Sequence, residues 1–362
     1  MTAESTAATL MAQEIAEQPA AVARTLETLV PLRPDLRALA GDRTQVLFVA
    51  RGSSDNAAVY GRYLLETHSG VSAALAAPSV ATHYRRERDL SRTVVVSLSQ
   101  SGETSEIVAT QQWAKRCGAA TVAITNDPGS ALAGQADLAL VTRAGVEKAV
   151  PATKSYTTQL AALAVLATAL APDPGSLDAE LFRAPEEIDR QLRDRHSIEA
   201  AVPALAHTGS TLVTGRGLVL STALEMALKL EETCLRPVRG LSYADLRHGP
   251  IAVVGGGLVA VLVSAPDGPL VDAMTELAVD LRARDATVVG FGGDGRFRAE
   301  CDVAVAGPTL AEPIAPLALV VRPQLTVEAL ARHLGQDPDA PRGLSKVTQT
   351  DRSSAATTGG ME

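Results

Sequence analysis

Five stretches of this chain combine residue types that can hold an anion or move a proton. Ser97-Leu98-Ser99-Gln100-Ser101-Gly102-Glu103-Thr104 joins a β-branched run to a segment of helical pattern. A helix start offers free N–H groups and partial positive charge, and small hydroxyl residues let a phosphate come close to them. Ser99, Gln100, Ser101 and Thr104 therefore read as a phosphate cup without lysine, although a serine-rich turn with a helix cap fits the same letters. Gly52, Ser53 and Ser54, inside Arg51-Gly52-Ser53-Ser54-Asp55-Asn56, follow an earlier apolar run and read either as a second arm of that cup or as a cap. In ALEMALKLEE, Glu225, Lys229 and Glu232 fall at i, i+4 and i+7 on one helix face. Such residues pair at helix surfaces, but Leu224 and Leu228 bring this face near the core, where a carboxylate needs a role. His248 sits on the turn of Leu246-Arg247-His248-Gly249-Pro250, and Lys346 follows Gly343-Leu344-Ser345 beyond the last periodic helix. Alone, either is an ordinary surface residue.

Several chemistries have no support in the sequence. G-x-G-x-x-G is absent after the first strand, and G-x-x-x-x-G-K-[ST], H-E-x-x-H and G-x-S-x-G are absent throughout. Cys117, Cys234 and Cys301 are far apart and the six histidines are scattered. No metal site and no cofactor is expected. A net charge of −8 disfavours a nucleic-acid partner. The apolar stretches Tyr156–Ala171 and Ile251–Ala265 fall short of the roughly 20 residues of a membrane span. They read as buried core, and no membrane partner is expected. The N-terminus lacks the basic start and apolar run of a secretion signal, and cysteine is scarce, so a cytoplasmic location is expected. Lysine is rare, with only Lys115, Lys148, Lys154, Lys229 and Lys346 among 33 basic residues, so a retained lysine points to a need for the amine itself.

These residues must be positioned by something, and the periodicity indicates what. With 362 residues and 46% hydrophobic content, the chain is large enough for two domains. Short β-branched runs alternate with longer Ala/Leu-rich segments, the pattern of an α/β fold with doubly wound parallel sheets flanked by helices. Strands are expected at Val46–Ala50, Val94–Ser99, Thr121–Thr125 and Leu138–Val141, then at Ser210–Thr214, Leu258–Val263, Thr287–Phe291 and Val303–Val305. Helices are expected near Asp55–Thr67, Thr104–Cys117, Ser155–Ala169, Ala223–Thr233, Leu270–Arg284 and Thr326–Leu334. LFVARGSS from Leu47 resembles LVTGRGLV from Leu212, so the halves read as a duplication. The expected organisation is a helical segment over 1–30, a first domain over 31–172, a linker with a charged helix over 173–196, a second domain over 197–340 and a tail over 341–362.

Taken in order, MAQEIAEQP, SLSQSGET, NDPGSALA, AVPATKSYTTQL, ALEMALKLEE, LRHGP and LSK resemble the sugar isomerase (SIS) domain family. Within it the chain is most similar to the isomerase half of glucosamine-6-phosphate synthase and to stand-alone relatives that deaminate glucosamine 6-phosphate. The resemblance implies that Ser99, Gln100, Ser101, Thr104 and Ser54 hold the sugar phosphate and that Val150 contributes backbone contacts. It further implies Glu232 as the acid/base between C1 and C2, supported by Glu225 and Lys229, with His248 opening the sugar ring and Lys346 reaching the carbonyl carbon. His248 would come from the neighbouring subunit, which implies a homodimer with shared active sites. The implied reaction converts a phosphorylated amino sugar, glucosamine 6-phosphate, to fructose 6-phosphate and ammonia. A 6-phosphofructosyl-amine deglycase and a non-catalytic sugar-phosphate sensor are the alternatives. The chain departs from the synthase pattern at Ala152 and Arg247, and no cysteine precedes Cys117, so glutamine-dependent synthesis is not expected of it.

Overall fold

The computed structural model describes residues 8–207 and 209–346, and among them ten strands form two parallel sheets. β1 (Gln45–Val49), β2 (Ser72–Leu75), β3 (Thr93–Leu98), β4 (Ala120–Thr125) and β5 (Leu138–Val141) stand in the order β2-β1-β3-β4-β5. β6 (Ser210–Gly215), β7 (Val238–Ser242), β8 (Leu258–Ser264), β9 (Thr287–Gly292) and β10 (Val303–Val305) stand in the order β10-β9-β8-β6-β7. Counted from its own first strand, the second sheet repeats the order of the first. The duplication seen in the sequence is thus one doubly wound topology used twice.

The central strands follow from their composition. TVVVSL, ATVAIT and LVAVLVS are buried from end to end, as parallel strands covered on both faces must be. β2 and β7 were not among the expected strands. They are the short sheet edges SAAL and VRGLS, with few β-branched residues and half-exposed backbones, so they carry little local signal. Register binds β2 to its sheet instead, with Leu75 opposite Phe48 and Phe48 opposite Val96 on the other side.

Helices of both halves meet between the sheets. The Ser53–Leu64 helix packs on the Lys154–Leu170 and Leu220–Cys234 helices, and the latter packs on Val321–His333. One apolar core runs from Met11 to Ala331 across both halves, while the outer face of each sheet has its own smaller cluster. The Lys154–Leu170 helix is buried on all sides as far as Ala169, which explains why its sequence is nearly apolar without a polar stripe. The expected linker 173–196 contains the Gly175–Arg193 helix, whose Leu181, Ala184 and Ile188 are buried against the rest of the chain.

Both ends of the described chain are tied to this body. Thr9 Oγ1 donates to Glu328 Oε1 at 2.8 Å, and Gln18 Nε2 donates to Gln324 Oε1 at 2.8 Å. The carboxylate of Asp339 accepts the backbone N–H groups of Leu10 and Met11, each at 2.8 Å, and so caps the first helix. The Asp339 carbonyl accepts the Val150 N–H at 2.8 Å. The chain leading to Lys346 is therefore fastened across the loop that precedes the central helix. The tail reading beyond Lys346 lies outside the described residues. Among those described, no helix is long and apolar enough to cross a membrane.

Candidate active site

In the first sheet the strand order reverses between β1 and β3, and the loops leaving the carboxyl ends of these strands are Arg51–Ser54 and Ser99–Thr104. Such a switch point opens a crevice that ligands occupy. The crevice is present here as two adjoining cavities. A small one of about 110 Å³ is lined by Arg51, Ser54, Ser99, Gln100, Ser101 and Thr104. A larger one of about 420 Å³ is lined by Gly52, Ser53, Val150, Lys229, Glu232 and Lys346, among others. Arg51, Ser54, Gln100, Thr104 and Lys346 border both.

The cup is held by its own backbone. Gly102 N–H donates to Ser99 Oγ at 3.1 Å, Glu103 N–H to Ser101 Oγ at 3.2 Å, and Ser99 Oγ lies 3.4 Å from Thr104 Oγ1. Gly102 has φ +66°, and a Cβ there would collide with Ser130 Oγ. The 12-residue helix Ser105–Arg116 then directs its N-terminus at the cup.

The face with the charged residues Glu225, Lys229 and Glu232 comes from the other half. In the Leu220–Cys234 helix, Glu225 and Lys229 are fully buried and Glu232 faces the larger cavity. Lys229 Nζ pairs with Glu232 Oε2 and lies 3.6 Å from Glu225 Oε1. Asn56 Nδ2 donates to Glu225 Oε2 at 2.9 Å, so the helix that starts behind the cup grips the helix that carries Glu232. Burial raises the Glu225 carboxyl above the usual range against the pull of Lys229 and Asn56. Burial works the other way on Lys229, yet Glu225 and Glu232 together outweigh it and hold its ammonium above the ordinary lysine value. Lys229 thus stays charged and fixes Glu232 by an ion pair.

Lys346 reaches the cavity from the far end of the chain. Its Nζ donates to Glu147 Oε2 and to the Ala149 carbonyl, each at 2.7 Å. Glu147 also accepts from Thr153 N–H at 2.9 Å and from Ser155 Oγ at 2.6 Å. Burial opposes the Glu147 charge, but Lys346 and these donors overcome it and hold the carboxyl below its ordinary value.

The structure therefore brings Gly52, Ser53, Ser54, Ser99, Gln100, Ser101, Thr104, Val150, Lys229, Glu232 and Lys346 around one crevice, with Glu225 directly behind. His248 is not among them. It is exposed at the end of the Tyr243–Arg247 helix and lines neither cavity. Arg51, Glu147, Leu344 and Ser345 also line the crevice and were not singled out in the sequence, and Ala152, noted there as a departure, lines it too. Glu147 lies 199 positions from Lys346, so no spacing rule could have paired them. In the second half, Leu270 stands close against Gly217 and Glu312 against Gly268. A larger recess of about 610 Å³ lies at the opposite, amino end of the second sheet. Its walls are mostly apolar, from Leu212, Val238, Leu241, Leu246 and Leu258. Among the described residues no group of side chains is arranged to hold a metal ion.

Comparison with known proteins agrees with this geometry. The SIS domain family matches residues 39–169. The glutamine–fructose-6-phosphate aminotransferase of Thermococcus kodakarensis is 33% identical over 347 residues, covering 93% of this chain and 57% of that protein. The chain thus spans less than three-fifths of the length of this curated relative. A solved structure from Silicibacter pomeroyi, provisionally assigned as a phosphosugar isomerase, is 34% identical with a TM-score of 0.81, covering 91% of this chain and 100% of that one. The C-terminal domain of glucosamine-fructose-6-phosphate aminotransferase from Francisella tularensis superimposes with a TM-score of 0.85 at 26% identity, over 94% of this chain and 100% of that one. Match, coverage and topology agree, and the chain belongs to the SIS-domain family.

Proposed function

We propose that this protein converts glucosamine 6-phosphate and water to fructose 6-phosphate and ammonia. The observation that carries the reading is that the Glu232 carboxylate and the Lys346 ammonium face one cavity that opens directly onto the cup of Ser99, Gln100, Ser101 and Thr104. A substrate anchored in the cup by its C6 phosphate would extend its C1–C2 end toward those two charges. In the open-chain sugar, Glu232 takes the proton from C2 and returns it to C1, while the C1 oxygen gains a proton to become a hydroxyl and the amine nitrogen loses one, which leaves C2 as an imine. Water then adds at C2 and ammonia leaves. Lys229 keeps Glu232 in place through its ion pair. Lys346, donating to both Glu147 and Ala149, is placed as an ammonium that can polarise the carbonyl oxygen while negative charge develops on it. We assign ring opening to His248 of a second copy of the chain, because His248 is exposed and lies away from the crevice of its own chain.

The test is ammonia release coupled to fructose 6-phosphate detection, with glucosamine 6-phosphate, galactosamine 6-phosphate and a 6-phosphofructosyl-amino acid as parallel substrates. Release from glucosamine 6-phosphate alone is expected. Turnover of the fructosyl-amine alone would make the protein a deglycase, and binding without any turnover would make it a sensor.

A further inference from the structure

We propose that Arg51 is a phosphate ligand of this site and sets its preference for phosphorylated over unphosphorylated sugars, with Glu106 orienting the guanidinium. The proposal rests on the sugar-phosphate reading of the crevice. The hydroxyls, amides and helix N-terminus of the cup are all neutral donors, whereas a phosphomonoester at neutral pH carries close to two negative charges. Arg51 and Lys346 are the cations that border both cavities. Lys346 donates to Glu147 and the Ala149 carbonyl, and its third hydrogen is the one assigned above to the sugar carbonyl. Among the described residues lining the cup, the Arg51 guanidinium is then the cation left for the phosphate.

Its geometry is that of an oriented donor. Arg51 Nε and Nη2 each donate to the Glu106 carboxylate at 3.0 Å, a two-point contact that fixes the plane of the guanidinium. Nη1 makes a long contact of 3.3 Å with the Ala50 carbonyl, so the outer edge of the fork keeps hydrogens for a ligand. The Glu106 side chain is only 5% exposed, while that of Arg51 is 43% exposed and open to the crevice. Asp55 also lies within reach of the Arg51 charge. Arg51 thus stands between the anion site and two carboxylates, Glu106 and Asp55.

Because of those carboxylates, a single substitution cannot separate contact from neutralisation, and the test is a cycle. Wild-type protein, Arg51→Gln, Arg51→Lys, Glu106→Gln and the Arg51→Gln/Glu106→Gln double variant are compared. Dissociation constants for inorganic phosphate and fructose 6-phosphate are measured by calorimetry, and KM and kcat for glucosamine 6-phosphate in parallel. A lost charge-assisted contact should weaken binding by roughly 10- to 100-fold in Arg51→Gln. KM should rise by a similar factor while kcat changes little, Arg51→Lys should fall between, and the double variant should stay weakened. A double variant that binds like wild type would reduce Arg51 to a counter-charge for Glu106 and overturn the proposal, as would unchanged binding in Arg51→Gln. If Arg51→Gln fails to fold, Arg51→Lys decides the matter, because wild-type affinity there would remove the need for the fork. The binding arm does not require turnover: wild-type protein that binds both ligands but releases no ammonia would overturn the deaminase reading and leave the Arg51 result standing. Wild-type protein that binds neither ligand would overturn both.

Discussion

At the scale of the residue, two part-buried ion pairs border the crevice, Lys229 with Glu232 and Lys346 with Glu147. Glu232→Gln retains shape and hydrogen-bonding capacity but cannot accept a proton from carbon. It is expected to bind fructose 6-phosphate like the wild type while kcat falls by about 10²- to 10⁴-fold. Wild-type turnover in that variant would remove Glu232 as the acid/base. Glu147 has a pH signature. Its folded pKa lies below the ordinary 4.5, so the carboxylate contributes stability that is complete above that value and is lost as pH falls through the lower folded value. Glu147→Gln should therefore lower the melting temperature at pH 7 and flatten the decline in stability below about pH 4.5, which thermal melts over a pH series would reveal. An unchanged acid limb would mean that the pairing with Lys346 does not persist in solution.

At the scale of the element, the cup depends on one glycine and the tail on one aspartate. Gly102→Ala places a methyl group against Ser130 at a positive φ, so the Ser99–Thr104 loop must move away from the Ser105–Arg116 helix. Inorganic phosphate binding should weaken at least tenfold while the melting temperature falls by only a few degrees. Equal affinity in that variant would mean that the loop conformation does not form the anion site. Asp339→Ala removes the cap on Leu10 and Met11 beside the residue that bonds Val150. The expected loss is about 1 kcal/mol of stability, with a rise in proteolytic cleavage before Lys346. Cleavage unchanged from wild type would show that the tail is held elsewhere.

At the scale of the whole molecule, the two halves have the same topology but unequal roles. The first sheet opens the cup at its switch point, and the second half contributes the helix that carries Glu232. The proposed catalytic centre is therefore built at the seam, where Asn56 meets Glu225. If His248 serves a second copy of the chain, mixtures of inactive Glu232→Gln and His248→Ala proteins should recover about a quarter of wild-type activity through heterodimers with one intact site, as binomial mixing requires. Mixtures that stay inactive after co-refolding would place ring opening within a single chain or with another residue.

The sequence by itself determined the alternation of strands and helices, the duplication, and the local loops whose function follows from neighbours in the chain. SLSQSGET reads as a strand-to-helix anion loop because all its parts are contiguous, and Glu225, Lys229 and Glu232 share a face because helix geometry places them there. Tertiary structure decided what depends on long-range pairing. The edge strands β2 and β7 have little propensity of their own and are strands because a neighbour's backbone accepts them. Arg51 meets Glu106 only because β1 and β3 lie side by side, and Lys346 meets Glu147 only because Asp339 ties the tail across the first helix. Contacts of this kind come from the packing of distant segments against one another. No local spacing or composition encodes them.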